Sequence, residues 1–159
     1  MSSLQVDSIS SMGGGHVDGA GLVVQYVETS DDNSASNIST TTSSFVSTGI
    51  TVSITPKFIG SKVCVDYTGS MGAVPANNNM DVTLFKDNVQ AMGNFGLGYL
   101  SGGASDSSYG PLGGQYIFTT TSLSTIVFTV YFRKNSGGGD VTVCHNNASY
   151  TLSATEYAQ

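Results

Sequence analysis

Charge is what this chain has least of. Asp, Glu, Lys and Arg make up 10% of its 159 residues, against about 25% in ordinary soluble domains. Solubility must therefore rest on Ser, Thr, Asn and Gly. Five residues are Lys or Arg, and the net charge is −6. Phosphate binding needs clustered cations to displace counterions. Lys57, Lys62, Lys86, Arg133 and Lys134 are few and, the last pair apart, scattered, so a direct role on DNA or RNA is not expected. No apolar run approaches the ~20 residues of a membrane helix, and membrane insertion is not expected. The first residues, MSSLQVD, offer neither a basic stretch nor an apolar one, so a standard cleaved signal peptide is not expected either. Cys64 and Cys144 are too few for a disulfide framework. They form one bridge or stay two reduced thiols on strands, the ordinary behaviour of Cys as a small buried hydrophobe.

What the chain does have is alternation with a period of two. Ile126, Phe128, Val130 and Phe132 share one strand face; Ile50, Val52 and Ile54 share another, as do Val63, Val65 and Tyr67, and Tyr150, Leu152 and Ala154. β-Branched and aromatic residues fill these runs, and Gly-, Pro- and Asn-rich turns separate them. The pattern predicts nine to eleven short strands and no helix. This is an all-β chain, and the expected fold is an antiparallel jelly-roll-like β-sandwich over 21–159 with a short N-terminal arm at 1–20. The stretch GITVSITPKFIGSKVCVDY, residues 49–67, reads as strand, short turn, strand: a hairpin.

Three segments break the pattern. Residues 29–48 are rich in Ser and Thr and read as a long surface loop or extended edge. Residues 93–114, rich in Gly, Ser and Tyr, read as a surface loop of the composition that binding loops use. In the arm, Leu4, Val6 and Ile9 alternate ahead of a glycine joint at Met12 to Gly15. The arm would add as a strand to another chain, or be the first strand of the same sandwich.

Catalytic motifs are thin. Two histidines occur, His16 and His145, and Gly103-Ala-Ser-Asp-Ser107 misses the Gly-x-Ser-x-Gly elbow at its last position. Cys144 and His145 are adjacent, and neighbours on a strand face opposite ways, which hinders sharing one metal ion. Gly96-Leu-Gly98 lacks the third glycine of a dinucleotide loop. The only glutamates are Glu28 and Glu156, which gives little for the paired carboxylates of glycoside cleavage. No cofactor is implied.

The order of short motifs resembles a module of structural proteins of tailed, marine-type bacteriophages. Thr48-Gly-Ile-Thr-Val-Ser-Ile-Thr-Pro56, then Ser61-Lys-Val-Cys-Val65, is similar to its "Thr-Gly-hydrophobic … Ile-Thr-Pro, turn, Ser-Lys-hydrophobic" segment. Asp81 to Asp87 (DVTLFKD), Ser124 to Gly138 (STIVFTVYFRKNSGG) and a last strand ending on an acidic residue at Glu156 follow in the same order. The arm sequence LQVDSI is similar to the start of many phage fibre-type proteins. Cys64, Cys144 and a Gly-rich segment without Trp depart from the pattern.

The resemblance implies a non-enzymatic virion component: tail fibre, head fibre, collar or capsid decoration. It implies a jelly roll similar to the tumour-necrosis-factor fold and a homotrimer whose threefold interface would bury Val127 and Tyr131. Other virion proteins would be held through Leu4, Val6 and Ile9, with assembly in the host cytoplasm and release by lysis. The alternative is a receptor- or glycan-binding tip, contacting host surface glycan or protein through Tyr99 and Tyr109. A hydrolase of surface polysaccharide is the least supported option.

Overall fold

The computed structural model describes residues 21–31, 37–69 and 71–159. The expected arm, with Leu4, Val6, Ile9 and His16, lies outside the described residues. The rest is all-β and antiparallel, as the alternation predicts. A first sheet orders β1 (Val23–Asp31), β13 (Tyr150–Tyr157), β4 (Lys62–Gly69) and β10 (Gly114–Thr119). A second orders β3 (Val46–Ile54), β11 (Ile126–Ser136), β6 (Asn79–Lys86) and β7 (Val89–Gln90), with β8 (Gly98–Ser101) also on β6.

The two sheets form a sandwich because each alternating run turns its apolar side inward. Val63, Val65 and Tyr67 with Leu152 and Ala154 meet Ile50, Val52 and Ile54, Val82 and Leu84, and Phe128, Val130 and Phe132. Phe118 and Phe128 touch across the gap, ring centres 5.4 Å apart. Each fully buried Val, Leu or Phe contributes about 1.5–3 kcal/mol.

A third, smaller sheet orders β2 (Ile38–Thr40), β12 (Val141–Val143), β5 (Met71–Val74) and β9 (Ser108–Pro111). In chain order β5 follows β4, β9 precedes β10, β2 precedes β3 and β12 follows β11. It thus takes strands from both main sheets and closes one end of the sandwich. These short pieces raise the strand count among the described residues to thirteen, above the nine to eleven expected.

Residues 49–67 are not a hairpin. β3 pairs with β11, whereas β4 lies between β13 and β10 in the opposite sheet. Alternation reveals that each strand has one dry face, but not whether two dry faces lie side by side or face to face. Here they face each other, and residues 55–61 arch from one sheet to the other.

The Gly-rich segment also differs from the expected surface loop. It supplies β8 and β9 and buries Leu97 and Leu112, each 1% exposed. Its neighbouring backbone is glycine because side chains lie against it. A Cβ on Gly72 would sit 2.5 Å from Leu100 Cδ1, and one on Gly110 would sit 2.9 Å from Leu100 Cδ2. The Ser/Thr-rich stretch likewise ends in packing, with Phe45 edge-on to Phe85 at 5.8 Å.

Thr48-Gly49 is a bulge. Thr129 of β11 pairs with Thr51, but Tyr131 pairs with Ser47, so Val130 alone faces three residues of β3. Thr48 Oγ1 donates to the carbonyl of Val130 at 2.8 Å and accepts from the N–H of Ile50 at 3.0 Å. Gly49 takes a left-handed φ of +80°, as the first position of such bulges favours. A Cβ there would meet nothing within 4 Å, so the cost of a side chain is conformational alone. Gly49→Ala should therefore destabilise by about 1–2 kcal/mol, read as a lower urea midpoint with an unchanged slope.

Candidate functional site

The two ends of the sandwich carry different chemistry. At the end opposite the third sheet, the alternation of β13 places Glu156 after Leu152 and Ala154 on the dry face. Its side chain is fully buried. Both carboxylate oxygens accept from the N–H of Lys57 at 3.0 Å, and Oε1 also accepts from the N–H of Phe58 at 3.2 Å. Ser61 Oγ donates at 2.6 Å, and Gln25 Nε2 donates at 2.6 Å while also reaching the carbonyl of Thr55 at 2.7 Å. Thr120 Oγ1 adds a bond to the carbonyl of Phe58 at 2.7 Å. Burial alone would raise the Glu156 pKa. The bonds from Ser61, Lys57, Gln25 and Phe58 outweigh it and hold the carboxyl below the ordinary glutamate value. Both oxygens are engaged and the group is sealed from solvent. It therefore holds the arch between β3 and β4 against the last strand.

Just outside this anchor the surface is apolar. Leu22, Val23, Phe58, Ile59 and Leu123 are all exposed. A shallow cavity of about 270 Å³ is lined by Phe58, Ile59, Ser61, Ala158 and Gln159. Gly21 and Leu22 are tied to Ala158 by backbone bonds of 2.9 Å, so residues 1–20 join the domain here.

The opposite end carries a polar pocket of about 310 Å³. Ala73, Val74 and Pro75 line it on one side, and Asn37, Ser39, Tyr109, Asp140, Thr142 and His145 line the rest. Ser39 and Thr142 share a hydroxyl bond of 2.8 Å across paired strands. Asn37 Oδ1 accepts from the N–H of Asn146 at 3.0 Å, which fixes the amide and leaves Nδ2 as its donor side. The Tyr109 ring, 58% exposed, lies 5.2 Å from that of His145. His145 opens a 3-10 turn and has left-handed neighbours on both sides, Cys144 before the turn and Asn146 within it, both at φ 55°. For Cys144 that conformation costs about 1–2 kcal/mol, and its complete burial holds it in place.

Tyr99 and Tyr109 do not share a site. Tyr99 sits on β8 opposite Asp81, edge-on to Phe95 at 5.3 Å, while Tyr109 sits on β9 opposite Ala73. Sequence reasoning missed Asn37, Ser39, Asp140 and Thr142, which come from two short segments far apart in the chain. It weighed His145 as a catalytic base and as a metal ligand at a strand end; the turn places it beside Tyr109 instead. Glu156 had a readable signal, the continuation of the Leu152–Ala154 alternation.

Cys64 and Cys144 are both buried and form no disulfide. Burial first, then the hydrogen bond and charge of Asp66, push the Cys64 thiol up to about 11, so it stays protonated at neutral pH. Asp81, also fully buried, accepts from Arg133 Nε at 2.8 Å and Asn135 Nδ2 at 3.2 Å, and the Arg133 guanidinium lies over Phe45 at 4.4 Å. Among the described residues no three His, Cys, Asp or Glu side chains gather as a metal site.

No protein-family model matches the chain, and no curated protein matches it.

Glu156 also sets an acid limit. Its folded pKa lies below the unfolded value near 4.5, so its stabilisation is complete above that pH and fades as pH falls through the lower, folded value. Glu156→Ala, which orphans several buried donors, should cost about 3 kcal/mol. Glu156→Gln should flatten the acid side of stability against pH, measured as urea midpoints between neutral and strongly acidic buffer.

Proposed function

We propose that the chain is a non-enzymatic structural component of a bacteriophage particle: an accessory fibre, knob or decoration subunit of head or tail. The observation that carries this reading is the contrast between the two ends. Where residues 1–20 join, the surface is apolar and suited to burial against another protein; the far end is polar and suited to display. The motifs behind the phage resemblance lend support, because they coincide with joints of the fold. The Thr48-Gly49 bulge, the arch residues that hold Glu156 and the Asp81–Arg133 pair all fall within them.

The strand order supports a jelly roll. The strands of both main sheets are drawn from all along the chain, and the first and last, β1 and β13, are hydrogen-bonded neighbours. A homotrimer is supported by the outer face of the first sheet. Tyr26 and Ile117 are exposed there, and several polar groups beside them are bonded within the chain: Glu28 with Tyr26, Asp66 with Gln115 and Cys64, and Lys62 with Thr119. Within the chain Tyr131 is stacked on Phe85 at 3.9 Å, and Val127 is exposed.

A second reading, recognition of a host surface, is favoured by the pocket around Tyr109. The pocket brings one carboxylate, Asp140, to its rim, where glycoside cleavage would use two.

Particles assembled without this protein should lose a projecting or decorating density in electron micrographs; an unchanged outline and mass would overturn the proposal. Native mass spectrometry of the isolated protein should give three chain masses. A monomer at micromolar concentration would rule out the trimer.

A further inference from the structure

We infer that the pocket between the third sheet and the His145 turn binds a neutral pyranose sugar. The inference rests on the host-recognition reading and gives it a ligand class. Four observations lead to it.

The first is the aromatic platform. Tyr109 presents an exposed ring backed by His145, with ring centres 5.2 Å apart and planes tilted by 37°. A sugar ring offers a face of C–H groups, and an aromatic face that is rigid and half-wet takes such a face at small entropic cost. The turn residues Cys144 and Asn146, held left-handed at φ 55°, set the position of His145, so the platform is formed before any ligand arrives. Left-handed non-glycine residues cluster at ligand sites for this reason.

The second is the set of polar groups. Hydroxyls of a sugar both donate and accept, and the pocket supplies both kinds of partner. The Asp140 carboxylate accepts. Asn37, with Oδ1 occupied by the N–H of Asn146 at 3.0 Å, donates through Nδ2. Ser39 and Thr142 are bonded to each other at 2.8 Å, which consumes one of their two protons and leaves the other for a ligand.

The third is charge. The lining contains one carboxylate and no Lys or Arg. Of the five cations, Lys57 and Lys62 flank the Glu156 anchor, Lys86 faces Asp87, Arg133 is taken by Asp81, and Lys134, on β11 opposite Met80, is not among the lining residues. A sialic acid, a uronate or a phosphate would bring a negative charge against Asp140 with no compensating cation. A neutral sugar brings no such conflict.

The fourth is size. A cavity of about 310 Å³ is at the small end of ligand sites, which run about 300–1,000 Å³. It suits one ring, or the terminal ring of a longer glycan left projecting into solvent.

The test uses the full chain in its native oligomeric state. Saturation-transfer NMR and calorimetry are run with glucose, galactose, mannose and N-acetylglucosamine, and with N-acetylneuraminic acid as the anionic probe. At least one neutral sugar should bind with a dissociation constant on the order of 1 mM, and the anionic probe should not. Tyr109→Ala and Asp140→Asn, both at exposed positions, should each weaken binding about tenfold while leaving thermal unfolding in place. Tyr99→Ala, on another sheet, should leave binding unchanged. Tighter binding of the anionic probe, no binding of any neutral sugar, or sugar binding indifferent to Tyr109→Ala would each overturn the inference. Adsorption of the isolated protein to host bacteria separates it from the reading it rests on. Adsorption without sugar binding keeps host recognition and removes the sugar site. Sugar binding without adsorption keeps the site and removes host recognition.

Discussion

One buried negative charge holds together the end of this sandwich opposite the third sheet. Glu156 sits where the last strand should carry an apolar residue, and it is stabilised by peptide N–H groups, a hydroxyl and an amide, all of them neutral. A charge buried this way is tolerable only if nearly every lone pair is used. That requirement fixes four separate pieces of chain at once: Gln25 at the start of the first strand, the arch from Thr55 to Ser61, Thr120 at the end of β10, and β13 itself. Two sheets that share only apolar contacts can slide; hydrogen bonds to one carboxylate cannot.

The same anchor explains why 49–67 looked like a hairpin and is not one. A proline, a short polar turn and two clean alternating runs are compatible with either arrangement. The arrangement is decided by something 95 residues away from Ser61, the carboxylate that its hydroxyl meets. Local pattern therefore revealed the all-β class, the dry faces and most of the core, because those depend on residues two apart. It did not reveal the partner of each strand or the third sheet, whose strands are three or four residues long and too short to show a period. The Gly-rich segment misled for a related reason: Leu97 and Leu112 are isolated in the sequence, and only their packing, Leu112 beside Gly72 and Gly98 and Leu97 beside Gly114, shows that they are core. Of the candidate pocket, Tyr109 alone was legible. Asn37, Tyr109 and the stretch from Asp140 to His145 converge from three distant segments.

The short motifs on which the phage proposal rests gain a physical meaning from these joints. The Thr-Gly pair is a bulge whose threonine satisfies the carbonyl that the bulge would strand. The Asp at the head of β6 and the Arg late in β11 are one ion pair, 2.8 Å apart, with its carboxylate fully buried. Asp87 and Asn88, both left-handed, make the tight turn into β7, and Asp87 Oδ1 accepts from the N–H of Val127 at 2.9 Å. Each motif is two or three residues because a joint needs no more than that. The strand residues between joints have only to be apolar on the correct side.

Scarcity of charge then becomes a property of the design rather than a curiosity of composition. Glu156, Asp81, Asp87, Asp66 and Glu28 all have partners within the chain. Removing Glu156 or Asp81, both buried, leaves donors without their acceptor, so these two are not available to evolve new chemistry cheaply. Loop carboxylates such as Asp140 are under no such constraint. Asp140 stands at a rim beside an aromatic ring and an amide, on the end of the domain farthest from its point of entry. The groups that hold the fold and the groups that can meet a ligand are thus separated along the long axis of the sandwich. Change at the pocket end can alter what is recognised without disturbing the anchor that keeps the sheets together.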